Sequence, residues 1–321
     1  MKIDELRNDN KLNQICFYHH HVNGDCWSTR LIVKHIIENT KHLNLEYYYT
    51  APRALGSCCE DLEIKSENFN KLNIPGDIKD NTYFDNTIFI NAWIGYSEDL
   101  CCFCLKNINN RYNDIINNIN NFTNFNIKLI ETCNNNIVPF NYSFYNVIFL
   151  KKYIEEKKYM YTKVILIMNI NVTTTMKLNE IDHNKYINYF SSKYPEYLFI
   201  TFNKIETNSL NVISMNDINN ENNIDLPLSH YGINFSYLST LCDKVLCLAS
   251  GPGLFCLNEE NKYVENKFIM LDSIDPMNFP APKCEKNGEL LCTNKYNFYF
   301  KHYYYLNNDE LILELENFIF V

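Results

Sequence analysis

The chain has 321 residues and a net charge of −9, with 46% hydrophobic and 21% charged residues. That composition is globular and the length suits one large domain or two of ordinary size. The acidic balance excludes a protein whose main task is holding nucleic acid, because neutralising phosphates needs a basic surface.

No run of about 18 consecutive apolar residues occurs, so no transmembrane helix is expected. The opening MKIDELRNDNKLNQ carries no apolar signal core, so a cytoplasmic protein is expected. The 13 cysteines then read as reduced, largely buried thiols. The Cys101-Cys102-x-Cys104 group and the Cys58-Cys59 pair lack two CxxC pairs at zinc-ligand spacing, so no structural metal is expected there. The abundance of Asn, Ile, Lys and Tyr reads as compositional drift, so asparagine runs mark loops only weakly.

In chain order, residues 15–20 read as a strand and 28–39 as a helix with Leu31, Ile32, His35 and Ile36 on one face. Segments 45–50 and 87–91 are further strands. Residues 99–125 read as helical with interruptions, and Pro139 ends that pattern. The charged segment 151–158, KKYIEEKK, separates this half from the next. The alternation then restarts with strand 163–169, helix 182–194, strand 197–202, helix 234–242 and strand 244–249. Residues 309–321 close the chain with Leu311, Leu315 and Phe318 on one helical face. Strands alternating with helices predict parallel sheets, and the restart predicts two α/β halves.

In open α/β sheets ligands bind beyond the carboxyl ends of the strands, so the loops there carry the interest. After the first strand come His19, His20 and His21, then Asn23-Gly24-Asp25. Gly24 permits a tight turn, and Asp25 near a helix start is electrostatically favoured; by itself the turn also reads as a plain N-cap. On a strand His19 and His21 share one face and His20 points away. These two with Asp25 would make three metal ligands. A sheet-packed histidine and a cleft-lining one explain the run without metal, and no metal is expected. After the strand at 87–91, Trp93 offers an apolar wall for a sugar or base, or packs in the core.

In the second half, Asn169-Ile-Asn-Val-Thr-Thr-Thr175 presents amides and hydroxyls suited to phosphate oxygens or ribose hydroxyls. The strand at 244–249 runs into Ser250-Gly251-Pro252-Gly253, where glycines let backbone approach a ligand and helix-start N–H groups suit a diphosphate. It is neither a Walker A loop, since no GK[ST] follows, nor a GxGxxG fingerprint, since Pro252 interrupts it. A structural turn is the other reading.

Together these features resemble GT-B glycosyltransferases, most closely the heptosyltransferase-like branch. The pattern Gly-Asp-x-x-x-Thr-x-Pro is met by Gly24, Asp25 and Thr29, with Leu31 in the place of Pro. Ile233-Asn-Phe-Ser-Tyr-Leu-Ser-Thr-Leu-Cys-Asp243 followed by Ser250-Gly-Pro252 matches the family's second half. The chain is also similar to uncharacterised bacterial and viral glycosyltransferase-like proteins sharing NAWIG-like segments.

The resemblance implies two Rossmann-like domains facing a cleft. An acceptor domain would cover 1–155, a donor domain 156–305, and a C-terminal helix at 306–321 would cross back to the first. It implies inverting transfer from a nucleotide-diphosphate sugar to a glycan or other hydroxyl acceptor, with no metal. Asp25 would be the general base with His21 beside it, and Gly24, His19 and Trp93 would contact the acceptor. Ser250, Gly251 and Gly253 would hold the diphosphate, with Asn169, Asn171, Thr173 and Lys177 at the donor edge. Lys177 is the only nearby match to the family's basic diphosphate ligands. That departure keeps a second expectation open, a catalytically inactive module that binds a glycan or a protein. The oligomeric state is not legible.

Overall fold

The segments QICFY, EYYYT and TIFIN are too short for stable helices and rich in β-branched and aromatic side chains, and each forms a strand. The computed structural model describes residues 12–18, 23–50, 56–66, 82–84, 86–92, 105–131, 138–171, 176–222, 230–248, 253, 255–256, 258–261, 264, 266–272, 284–286, 289–292 and 300–320. Two units emerge, Met1–Phe140 with Pro282–Lys295, and Asn141–Ala281 with Tyr296–Val321.

In the first unit, strands β1 (Gln14–Tyr18), β2 (Glu46–Thr50), β3 (Lys65–Ser66), β4 (Thr82–Phe84) and β5 (Thr87–Asn91) form one sheet in the order β3-β2-β1-β5-β4. All neighbours run parallel except β4 against β5. Ile15 to Tyr18 of β1 are fully buried, as a central parallel strand covered on both faces requires. Helix α1 spans Asn23–Thr40 and α2 spans Leu105–Phe122. A short antiparallel pair, β11 (Cys284–Lys286) with β12 (Glu289–Cys292), also belongs to this unit.

Helix α1 buries Trp27, Ile32, Val33, Ile36 and Ile37. It is fixed on β2 by two hydroxyl pairs, Thr29 Oγ1 with Tyr49 Oη at 2.8 Å and Thr40 Oγ1 with Tyr47 Oη at 2.9 Å. Arg30, only 1% exposed, ties the helix to two further segments. Its Nη1 and Nη2 donate to Oδ1 and Oδ2 of Asp61 at 2.7 and 2.8 Å. Its remaining N–H groups reach the carbonyls of Val138 at 3.1 Å, Pro139 at 2.8 Å and Cys58. The guanidinium also lies 4.4 Å from the centroid of the Phe140 ring.

The second unit holds a six-stranded parallel sheet in the order β13-β10-β9-β6-β7-β8. The strands are β6 (Lys163–Ile167), β7 (Tyr197–Thr201), β8 (Val212–Ser214), β9 (Lys244–Leu248), β10 (Phe268–Asp272) and β13 (Phe300–Tyr304). Among the described residues these helices accompany it: α3 (Phe149–Lys158), α4 (His183–Lys193), α5 (Met215–Glu221), α6 (Tyr231–Leu241) and α7 (Asn308–Phe320). Asp182 caps α4 by accepting from the Lys185 N–H, and Ser214 with Asp217 forms a capping box on α5.

Several elements differ from the sequence reading. Helix α1 starts five residues before the expected position 28, so Gly24 and Asp25 stand inside its first turn; residues 23–27 have no apolar period to announce it. The charged segment 151–158 is not a linker. It is the body of α3, which turns Leu150, Tyr153 and Ile154 inward and its lysines and glutamates outward, and it belongs to the second unit. The terminal helix α7 buries Leu311, Leu315 and Phe318, and lies in the second unit. There Lys163 Nζ donates to the Ile319 carbonyl at 2.9 Å and Lys185 pairs with Asp309 at 2.7 Å.

Cys16, Cys58, Cys59, Cys242, Cys247 and Cys256 are buried free thiols, as expected. Cys101, Cys102 and Cys104 lie outside the described residues. Among the described residues no helix is long and apolar enough to cross a membrane.

Candidate functional site

Each sheet has one place where its strand order reverses. In the first unit the chain leaves β1 toward β2 and β3 on one side and toward β5 and β4 on the other. The crevice is therefore at the carboxyl ends of β1 and β5. Those ends stay side by side to the last described residue, because the Ala92 N–H donates to the Tyr18 carbonyl at 3.0 Å. In the second unit β6 leads to β7 and β8 one way and β9 leads to β10 and β13 the other, so the reversal lies between β6 and β9. Here too the pairing continues past the strands, with Met168 N–H on the Leu246 carbonyl at 2.9 Å.

At the β1–β5 end, Gly24 and Asp25 open α1. A carboxylate in a first helical turn faces unpaired N–H groups and the positive end of the helix dipole. The side chains of residues 23–26 lie outside the described residues, as do His19, His20, His21 and Trp93. Thr29 of the Gly-Asp motif is fully buried against Tyr49 and serves packing.

At the β6–β9 end, Asn169 directly follows the strand and is 7% exposed. Its Oδ1 accepts the Asn203 N–H at 2.8 Å and its Nδ2 donates to the Asn203 carbonyl at 2.9 Å. Asn203 Nδ2 answers on the Asn169 carbonyl at 2.8 Å. The pair clasps the chain ends after β6 and β7, so Asn169 acts as a brace. Asn171 is exposed. Lys177 stands in a 3-10 turn, Met176–Glu180, with its side chain outside the described residues. Thr173, Ser250 and Gly251 also lie outside them, whereas Gly253 is described and buried.

Sequence reasoning missed a buried polar network between α6 and the residues that follow Gly253. Ser236 and Ser239 of α6 are fully buried, and Asn258, Asn261 and Lys267 nearly so. Ser236 Oγ donates to the Phe255 carbonyl and lies 3.0 Å from Tyr142 Oη. Asn258 Nδ2 donates to Tyr142 Oη at 3.2 Å. Asn261 donates to Ser239 Oγ at 2.7 Å and to the Cys256 carbonyl at 2.9 Å. Lys267 Nζ closes the network on Asn261 Oδ1 at 3.0 Å and the Thr240 carbonyl at 3.2 Å, and burial lowers its pKa. The signal in the sequence was the small-polar pattern Ser236, Ser239, Thr240 on an otherwise apolar helix.

Lys244 opens β9 and Lys267 directly precedes β10, so both stand at the amino ends of their strands, away from this loop, and both are engaged in scaffold contacts. Lys267 is held as described, and Lys244 donates to the Asn266 carbonyl at 2.8 Å while lying 4.7 Å from the Phe318 ring centroid. A separate groove of about 500 Å³ opens beside β7 and β8, one strand removed from the β6–β9 crevice. Lys204 and Asp217 on its wall lie 3.7 Å apart. No group of three or more His, Cys, Asp or Glu side chains suited to a metal occurs among the described residues.

Sequence comparison finds no matching family model and no matching curated protein. Among solved structures, the chain is similar to a glycosyl transferase family 9 protein from Veillonella parvula DSM 2008, with a TM-score of 0.45 and 8% identity. The match covers 97% of this chain and 98% of that one.

Proposed function

We propose that this protein is an inverting, metal-independent glycosyltransferase that moves a sugar from a nucleotide-diphosphate donor to a hydroxyl group of a glycan or small acceptor. One observation carries the reading: the residues singled out in each half follow the strands that flank that sheet's order reversal. Gly24 and Asp25 follow β1. Asn169 and Asn171 follow β6, and Ser250 to Gly253 follow β9.

In this reading Asp25 takes the proton from the acceptor hydroxyl as that oxygen attacks the anomeric carbon from the face opposite the leaving group. The new C–O bond forms while the bond to the diphosphate oxygen breaks, and the nucleoside diphosphate departs with the electron pair. Backbone N–H groups at Ser250, Gly251 and Gly253 stabilise the charge that develops there. Asn171, Thr173 and Lys177 meet the donor edge, and Asn169 braces it. His21 adjusts Asp25, while Gly24, His19 and Trp93 face the acceptor.

The test is Asp25→Asn, which keeps shape and removes the base. Turnover falls at least about 100-fold, the low end of general-base contributions, while donor affinity is retained. Unchanged turnover removes Asp25 from the mechanism.

Segments 169–175 and 250–253 carry no Lys or Arg, which favours a second reading, a GT-B-like module that binds a glycan or a protein without transfer. Donor binding without any turnover on a panel of acceptors would support it.

A further inference from the structure

The most exposed large hydrophobic side chains among the described residues are Leu210, Tyr159 and Met160, at 97%, 91% and 71%. They gather at one place in the second unit. Leu210 lines the groove of about 500 Å³ beside β7 and β8. Tyr159 and Met160 stand in the chain between Lys157 and Tyr161, which line it too. Half-buried Ile205, Val212 and Ile213 add further apolar lining. Single apolar residues scattered over a surface are ordinary, but a gathered patch marks a contact surface.

The charges around the groove narrow the choice of occupant. Lys157 and Lys204 are balanced by Asp217 and Glu221, the other charged side chains that line it. A surface of anionic lipid or a nucleic acid calls for a basic excess, and this groove has none. An added peptide strand calls for a free sheet edge, and β8 is an edge strand. The Phe199 N–H donates to the Asn211 carbonyl at 2.8 Å, so Asn211 and Ile213 turn their backbone groups to β7, and Val212 and Ser214 turn theirs outward. Both outward N–H groups are taken, Val212 by the Ser209 carbonyl at 3.4 Å and Ser214 by Asp217 Oδ2 at 3.1 Å. That blunts the edge against a further strand.

Side-chain packing is the mode of contact left. A two-fold interface joins a patch to its own copy, so the patch must be complementary to itself. This one sets a knob beside a hole, Leu210 beside the groove, and carries both signs of charge in equal number. Tyrosine and methionine are enriched in such interfaces. We propose that the groove beside β7 and β8 is a homodimerisation surface, in which Leu210 of one copy enters the groove of its partner and Tyr159 and Met160 pack at the rim. The inference does not depend on the glycosyltransferase reading.

The test follows the full-length chain by sedimentation velocity over about 1 to 100 μM, a span that covers micromolar dissociation constants. Leu210→Asp puts a charge on the knob, whose exposure spares the fold. Glu221→Lys leaves Asp217 as the only carboxylate lining the groove; it lies at the last residue of α5, where a positive charge suits the helix dipole. Leu313→Asp is the control, a 62% exposed leucine of α7 that does not line the groove. Melting temperatures check that each variant stays folded. The proposal expects a wild-type dimer at the upper end of the range. Leu210→Asp weakens it at least about tenfold, the scale of an interface anchor, Glu221→Lys weakens it as well, and Leu313→Asp matches the wild type.

A wild type that stays monomeric throughout overturns the proposal. So does a dimer that survives unchanged in Leu210→Asp or Glu221→Lys, or an equal loss in Leu313→Asp. Assembly that continues past the dimer also overturns it, since a two-fold contact closes on itself.

Discussion

Arg30 sets five N–H groups on five acceptors, two of them the carboxylate oxygens of Asp61, with both side chains 1% exposed. Taking such a pair out of water is expensive, and a fully hydrogen-bonded bidentate geometry is what makes it tolerable. Arg30→Met removes the carboxylate's partner and should lower stability by about 3–5 kcal/mol in urea unfolding. Arg30→Met with Asp61→Leu should recover much of that loss, because no buried charge remains. A double variant as unstable as the single would contradict this account of the pair. Asp25 and Arg30 also show what one residue discloses in a sequence. Asp25 drew notice because it follows a glycine between an apolar strand and a helix. Arg30 was not, because a charged residue in a helix ordinarily marks the solvent face. A cue was present: Arg30 stands three and seven residues before Val33 and Ile37, on the buried stripe of α1.

Asparagine does at the level of elements what glycine does in most chains. The chain has 8 glycines. Among the described residues, the non-glycine positions with positive φ are Asn44, Asn86, Asn126, Asn146 and Asn266, with Glu63 the one exception. Asparagine tolerates the left-handed region better than other side chains, so these residues close turns and start the next element. Asn44 leads into β2, Asn86 joins β4 to β5, and Asn266 precedes β10. Asn146, with φ of 53°, precedes α3. Asn146→Gly should leave thermal stability near the wild-type value, whereas Asn146→Val should cost about 1–2 kcal/mol. A tolerated valine would show that this turn does not need the left-handed conformation. Composition alone could not distinguish these asparagines from those of drift, because the turn role depends on φ. Strand β8 escaped notice because three residues carry no period. Helix α3 was hidden by its charges, although Leu150, Tyr153 and Ile154 keep helical spacing.

At the scale of the whole chain, the two α/β halves and their parallel sheets were legible from the alternation of short apolar runs with amphipathic stretches. The strand orders were not, because they depend on which side each crossover takes, and no residue records that choice. Yet the orders give the candidate loops their meaning, since a Gly-Asp turn or a Ser-Gly-Pro-Gly loop elsewhere in a sheet would be an ordinary connection. The central claim is that the loops after β6 and β9 receive a nucleotide-diphosphate sugar, and thermal unfolding with a panel of such donors tests it most directly. At a donor concentration 100 times Kd, binding to the folded state adds about 2.7 kcal/mol. For a unit of this size that raises Tm by roughly 5–11 °C. The account predicts a rise of that order with at least one donor and with its free nucleoside diphosphate; an unchanged Tm across the whole panel would contradict it.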